Sequence, residues 1–444
     1  MSLYKGLLQD GFKLPECEKH FHDHDETWLI LQGRGTGYWI DHQGQQQNFE
    51  LEAGDVWMIP AGYEHGSEGL PENGRNSDDF TIAVCDGTMP PGCHAKGHYY
   101  VEKEGYIPSF ELQKTPTQRY LEPLDLPKRM QGFEFAALGQ AAIVELDTPV
   151  CPPGGVLCQT LYSGLTNGTE RNVMMAGNYG GDFPQATGYQ NVGRVLAVAP
   201  GVEGYAVGDL LFSGEHLHHR QYFATPAADD SLVVKLPPAV EPHQAALFGV
   251  ASVALHDVRR AQVALGEQVL VVGAGPVGQF TSQIARLAGG VVTVCDLDQE
   301  RLQLAAELGA HRTLVPDEDW ANIGAVGPFD CIIEDSGADI LDRLLAVYPP
   351  GRLLVPQGRL VIIAGRERVD YRFNWGQAAE LTLLQASHFN ADDLRHVCRL
   401  TEEGGLQVGP LIRDIVPYTE MQGIYERLRD QPSSLLGAAF DWTV

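Results

Sequence analysis

The sequence predicts a multidomain chain, all-β in its first part and α/β in its last. Three observations predict this. Residues 5–110 set short apolar runs between Gly, Pro, Asn and Asp, the pattern of closely spaced strands in a small barrel. Residues 131–250 are again strand-like and Gly-rich, and after about 250 strand and helix patterns alternate. A chain of 444 residues is also longer than one core usually fills.

In the first part, Trp28-Leu29-Ile30-Leu31, Gly37-Tyr38-Trp39-Ile40 and Val56-Trp57-Met58-Ile59 read as half-buried strands. Before them, residues 20–26 hold His20, His22, His24 and Glu26 at alternate positions, which a strand points to one side. Downstream, Gly54, Pro60 and Gly62 lead to His65. Imidazoles with one carboxylate suit a divalent first-row transition metal. These residues resemble the two motifs of the cupin family. His20, His22, Glu26 and Gly33 match the first; Gly54, Pro60, Gly62 and His65 match the second. Leu14 and Gly69 stand where the family has glycine and asparagine. The resemblance implies a cupin barrel over 1–112 that binds one metal, Mn, Fe, Ni or Zn, through His20, His22, Glu26 and His65. His24 is a fifth candidate. The Pro- and charge-rich residues 113–130 are expected to form a linker.

The α/β part begins clearly at Gln268-Val269-Leu270-Val271-Val272, a strand, followed by a helix with Val277, Phe280, Ile284 and Leu287 on one face. Val291–Val294 is the next strand, completing a βαβ unit. Cys331–Ile333 and Arg359–Ile363 are later strand candidates. Gly273-Ala274-Gly275-Pro276-Val277-Gly278 sits between strand and helix, where GxGxxG acts. Gly273 permits the tight turn, Gly275 lets backbone approach a pyrophosphate, and Gly278 allows close helix packing. The phosphate charge then meets the helix N-terminus. Asp296, eighteen residues beyond Gly278, would bind the adenosine ribose and repel a 2′-phosphate, so NAD(H) is expected over NADP(H). Arg301 is the one nearby residue that counts the other way.

Residues 131–444 resemble the medium-chain dehydrogenase/reductase family, on Gly164–Glu170, Gly188–Val195, the nucleotide motif and the ending Tyr425–Trp442. The resemblance implies a GroES-like catalytic domain (131–250), an NAD-binding Rossmann domain (251–390) and a return to the catalytic domain (391–444). The family's catalytic zinc ligands are missing. Thr166 or Asn167 stands for the first cysteine, Tyr189 and Gln190 for the His-Glu pair, and Ala245–Val250 lacks the last cysteine. Tyrosine and amide do not replace thiolate and imidazole on zinc, so neither catalytic nor structural zinc is expected in this body. Ser163–Glu170 and Ala254-Leu255-His256 resemble most the zinc-free branch of bacteriochlorophyllide dehydrogenase-like proteins.

Without zinc, another group must handle the alcohol proton. Thr169 matches the family position that binds the substrate hydroxyl. Tyr189 is a candidate acid if its pKa is lowered, and Glu170 and His256 are candidates for a relay. Each has a structural alternative: Glu170 as a buried partner of an arginine, Tyr189 as cavity filler, His256 as a satisfied helix histidine. Glu215–Arg220, rich in histidine, is expected on an exposed loop before a strand.

Ordinary composition, 44% hydrophobic and 20% charged, argues against large-scale disorder. A net charge of −27 argues against nucleic acid or an anionic membrane as partner. No apolar run long enough to span a bilayer, no signal-peptide pattern and eight scattered cysteines without CxxC lead to an expected cytoplasmic location. The expected activity is an NAD(H)-dependent, zinc-independent oxidoreductase on a secondary alcohol, such as a sugar or polyol, and its ketone. It acts on a small molecule and is expected to form a homo-oligomer, a dimer being simplest. Alternatives are a bifunctional enzyme whose cupin isomerises or oxygenates, a reductase of activated double bonds, and a ligand sensor that holds NAD and metal without turnover.

Overall fold

The computed structural model describes residues 16–22, 26–40, 46–59, 63–69, 81–86, 98–100, 126–199, 202–346 and 352–444. His24 and most of the expected linker fall outside them; the linker's last two residues, Arg129 and Met130, instead open a strand. The chain divides into two compact units, Met1–Leu126 and Pro127–Val444.

The first unit contains β1 (Glu16–His22), β2 (Glu26–Gln32), β3 (Arg34–Ile40), β4 (Gln46–Glu52), β5 (Val56–Ile59), β6 (Glu64–Gly69), β7 (Thr81–Asp86) and β8 (His98–Tyr100). They form two antiparallel sheets, β4-β3-β6-β1-β8 and β5-β2-β7. Alternation decides what lies inside: Glu26, Trp28 and Ile30 of β2 are buried, while Thr27 and Leu29 are less so. Trp28 lies opposite Trp57 of β5, and both rings meet His65 of β6 edge-on, with centroids 6.0 Å away. The sheets therefore face each other across an aromatic core of Trp28, Ile30, Leu51, Trp57 and Ile59.

The second unit opens with β9 (Arg129–Ala137), β10 (Gln140–Asp147), β11 (Gly155–Gly164) and α1 (Asn167–Met174). It continues through β12 (Gln185–Ala186), β13 (Asn191–Val198), β14 (Leu210–Ser213), β15 (Tyr222–Pro226), β16 (Val233–Lys235), α2 (Pro242–Ala245) and α3 (Phe248–Ala261). A parallel sheet follows: β17 (Gln268–Val272), α4 (Pro276–Leu287), β18 (Val291–Cys295), α5 (Gln299–Glu307) and β19 (Arg312–Leu314). Its other half is α6 (Ala321–Gly324), β20 (Phe329–Glu334), α7 (Leu341–Leu345), β21 (Leu354–Ile362), α8 (Phe373–Ala379) and β22 (Thr382–Gln385), then α9 (Ala391–Glu402). The chain ends with β23 (Asp414–Pro417), α10 (Met421–Asp430) and β24 (Ala438–Asp441).

The parallel strands run β19-β18-β17-β20-β21-β22, the doubly wound order that reverses between β17 and β20. β17 is apolar after its first residue because helices cover both faces of such a strand. Phe280 and Ile284 of α4 are buried as the period requires, but Leu287, its last residue, is 41% exposed. The all-β half of the unit carries a seven-stranded sheet with β11 at its centre and a three-stranded sheet ordered β10-β9-β12. β24 returns to it, setting Ser163 opposite Phe440, and so brings the C-terminal residues beside the start of α1.

Candidate active site

The nucleotide turn lies where the strand order reverses, at the carboxyl end of β17. Gly273 has φ +100°, a left-handed conformation that glycine takes without strain. A Cβ on Gly278 would collide with the Gly273 carbonyl oxygen, so glycine is what lets α4 sit on the turn. On Gly275 a Cβ would meet nothing within 4 Å, which leaves that side of the backbone open to a ligand. Gly275 caps α4 without a side-chain hydrogen bond, so N–H groups of the first turn are available to phosphate, beside Pro276 and Val277. This geometry fits a dinucleotide.

Asp296 follows β18, and its Oδ2 accepts from the Ala274 N–H at 2.5 Å while Oδ1 accepts from the Asp298 N–H at 2.8 Å. The carboxylate is thus anchored against the glycine turn. Arg301, the residue that weighed against NAD(H), donates to the carbonyls of Ser433 (2.8 Å) and Leu435 (3.1 Å). Its guanidinium is committed to the C-terminal segment. Beneath the turn Asp257 is buried and Asp335 has both carboxyl oxygens buried, and burial pushes both carboxyls up from the usual range.

Glu170 is not paired with an arginine. Its Oε1 accepts from the Thr166 N–H at 2.7 Å, and its Oε2 takes the Tyr425 hydroxyl and stands 3.1 Å from His219 Nε2. His219 Nδ1 lies 2.8 Å from Ser163 Oγ, which also accepts from the Trp442 indole N–H at 2.9 Å. One proton assignment gives every donor an acceptor: Trp442 to Ser163, Ser163 to His219 Nδ1, and His219 Nε2–H and Tyr425 to Glu170. The network is buried and ties β11, α1, α10 and the C-terminus together. Burial, then the Glu170 charge, pushes the Tyr425 phenol well up. The loop at 215–220 is exposed as expected at His216. It turns inward at His219, because that imidazole completes the network. Burial also lowers His218 to about 4.

Tyr189 lies against the glycine at 249, with Thr166 beside its phenol. Its pKa moves opposite to the direction an acid catalyst would use: burial raises it to about 12, with Thr166 opposing. The phenol keeps its proton and acts only as a donor. Gln190 spends its amide inside the protein, donating to Thr166 Oγ1 at 3.1 Å and accepting from Val250 N–H at 3.0 Å. Asn167 donates to the Leu435 and Leu436 carbonyls at 3.1 and 3.3 Å. Thr169 is half-buried on α1. His256 lies apart from these, with Nδ1 2.9 Å from Asp393 Oδ2 where α3 meets α9. Sequence reasoning missed His388 and Phe389, whose rings lie 5.1 and 6.2 Å from Tyr189. No local motif announces them.

In the first unit, Glu26 and His65 are brought together. His65 Nε2 stands 3.2 Å from Glu26 Oε2, both side chains buried. His65 Nδ1 donates to the Tyr63 carbonyl at 2.9 Å, which turns the Nε2 lone pair toward the carboxylate. Two acceptors facing each other are favourable with a proton or a cation between them, so an imidazolium or a metal ion would each complete the pair. His20 pairs in register with His65 across β1 and β6, and His22 with His98 of β8; the side chains of His20 and His22 lie outside the described ones. Among the described residues no group of three or more metal-binding side chains converges. Among the described residues the buried indole N–H groups of Trp28 and Trp57 meet no acceptor.

Residues 276–403 match the family described as zinc-binding dehydrogenase. The chain is 28% identical over 286 residues to a 2-dehydro-3-deoxy-L-galactonate 5-dehydrogenase of Pseudoalteromonas atlantica, covering 57% of this chain and 82% of that protein. It is 25% identical over 346 residues to a probable D-xylulose reductase A of Arthroderma otae, covering 69% and 95%. In fold it is similar to an alcohol dehydrogenase of E. coli CFT073 crystallised with NADH, with TM-score 0.62 and 19% identity, over 71% of this chain and all of that one. A thermostable alcohol dehydrogenase of Pyrobaculum aerophilum gives 0.61 and 22%, over 70% and 99%. Among the described residues no helix is long and apolar enough to cross a membrane.

Proposed function

We propose that this chain, whose second unit is an oxidoreductase related to the medium-chain zinc-binding dehydrogenases, interconverts a secondary alcohol and its ketone with NAD(H) and without zinc in that unit. A sugar or polyol substrate is supported by relatives named for a deoxygalactonate and for D-xylulose. The observation that carries the reading is the glycine turn, open at Gly275 and closed against α4 at Gly278. When bound, the dinucleotide supplies the hydride acceptor or donor. The choice of NAD(H) rests on Asp296 at the turn and on Arg301 being held by Ser433 and Leu435. Zinc independence rests on the donors: a phenol above the usual range at Tyr189 and amides at Asn167 and Gln190 already bonded to the protein.

Thr169 and Tyr189 would hold the substrate oxygen as hydrogen-bond donors, while Glu170 fixes the start of α1 through Thr166. In the first unit, Glu26 and His65, with His20 and His22, would hold one divalent metal that polarises an oxygen ligand. A second reading, in which the first unit itself acts on a small molecule, is favoured by the buried indole N–H groups of Trp28 and Trp57. An oxygen-bearing ligand would satisfy them.

The test is fluorescence titration with NADH and NADPH, then NAD+ reduction with D-sorbitol, xylitol and D-gluconate. NADH is expected to bind at least about tenfold tighter, a difference of about 1.4 kcal/mol, with Asp296→Ala closing the gap. Tighter NADPH binding by the wild type would reject the cofactor assignment.

A further inference from the structure

The residues after β22 turn back toward Tyr189 at the carboxyl edge of the parallel sheet, the edge where ligands of such sheets bind. His388 has φ +56°, a left-handed conformation that costs a side-chain-bearing residue energy and recurs at functional sites. Its ring lies 5.1 Å from Tyr189, 5.2 Å from His216 and 4.5 Å from Phe389. Tyr189 and His216 are themselves 5.6 Å apart, so the three rings close a triangle. Both ring nitrogens of His388 are buried; among the described residues the backbone at Phe389 is the one polar group near enough to bear on the ring as a hydrogen bond, and neither nitrogen makes a well-formed bond to a side chain. A half-buried imidazole whose nitrogens meet no side-chain partner has hydrogen-bonding capacity left for a ligand. His216, by contrast, is exposed.

The ionisable groups facing His388 are His216 and Glu215 from the loop before β15, His256 from α3, and the phenol of Tyr189. Burial lowers the His388 pKa first and the charge of His216 adds to it, with the backbone at Phe389 and then Glu215 opposing. His388 is thus neutral at pH 7, with a lone pair to offer.

We infer that His388 is the base of the alcohol oxidation, taking the substrate's hydroxyl proton and passing it through His216 to solvent. The assignment rests on reading the second unit as an NAD-dependent alcohol dehydrogenase. The carbinol C–H bond breaks and its hydride passes to the nicotinamide ring of NAD+, which is reduced to NADH. The O–H bond breaks, its electrons form the ketone C=O bond, and the proton goes to a ring nitrogen of His388. His388 then passes a proton by way of bridging water to His216, which releases one to solvent. Reduction runs the same steps backward. Tyr189, which keeps its proton, donates to the substrate oxygen throughout.

The experiment uses the full chain and the polyol oxidised fastest among D-sorbitol, xylitol and D-gluconate. His388→Gly relieves the left-handed backbone and leaves a hole the size of an imidazole. It is expected to lower kcat/KM about 100-fold, the usual scale for losing a general base. It also removes the acid limb of the pH profile, leaves NADH affinity unchanged, and is rescued by added imidazole. His216→Gln slows turnover in dilute buffer and recovers as buffer concentration rises. A His388→Gly enzyme within about threefold of wild type, or one that keeps the acid limb, overturns the assignment. If wild type oxidises none of these alcohols, the substrate reading fails by itself. His388 is then judged by calorimetric binding of 2,2,2-trifluoroethanol to the NAD+ complex. Binding weakened about tenfold by His388→Gly upholds the contact; equal binding, or none by wild type, overturns it.

Discussion

Replacing Glu170 with alanine is expected to destabilise the second unit by about 3–5 kcal/mol, the range seen when one partner of a buried charged network is removed. The carboxylate serves three donors, the Thr166 N–H, the Tyr425 hydroxyl and His219 Nε2. Alanine leaves all three donors buried, each costing about 1–3 kcal/mol when unmet, before the structure relaxes. Glu170→Gln keeps an acceptor for Tyr425 and should lose less. Urea unfolding followed by far-UV circular dichroism reads the difference as a lower midpoint at unchanged slope. A loss under about 1 kcal/mol for Glu170→Ala would mean that the network does not hold the unit together.

Gly278→Val is expected to weaken dinucleotide binding about 100-fold. Its Cβ would run into the Gly273 carbonyl oxygen, and α4 must tilt off the turn to make room. The tilt moves the first-turn N–H groups away from the pyrophosphate and crowds Asp335, whose Oδ2 lies 3.6 Å from the position of that Cβ. Overpacking of this kind costs about 1–3 kcal/mol in stability. The loss of binding should be larger, about 100-fold or about 2.7 kcal/mol. NADH fluorescence titration of a variant shown by circular dichroism to be folded checks this. Affinity within about threefold of wild type would remove Gly278 from the site.

The βαβ unit and its turn were legible in the sequence because their signals are local. Apolar periodicity marks β17 and α4, and the three glycines stand within six residues of one another. Leu287 shows the limit of periodicity, since a helix's last turn can outrun the surface it covers. The Glu26 and His65 pair was legible as motif spacing, although the strand pairing that joins them is not local. The network around Glu170 was not legible. Its partners lie 49 and 255 residues away, and nothing near Glu170 distinguishes a histidine partner from an arginine. The condition set on Tyr189, a lowered pKa, was not decidable from the sequence for a related reason. Its direction depends on burial, which the residue's neighbours in sequence do not disclose. His388 escaped notice because its surroundings come from the segments at 189 and 216.

The separation of metal from hydride transfer is tested most directly by elemental analysis of the whole chain, with NAD+-dependent alcohol oxidation measured before and after chelation. One equivalent of a divalent transition metal is expected, lost in Glu26→Ala and His65→Ala, with alcohol oxidation unchanged once it has been chelated away. A zinc ion that survives both substitutions and whose removal stops alcohol oxidation would contradict the account.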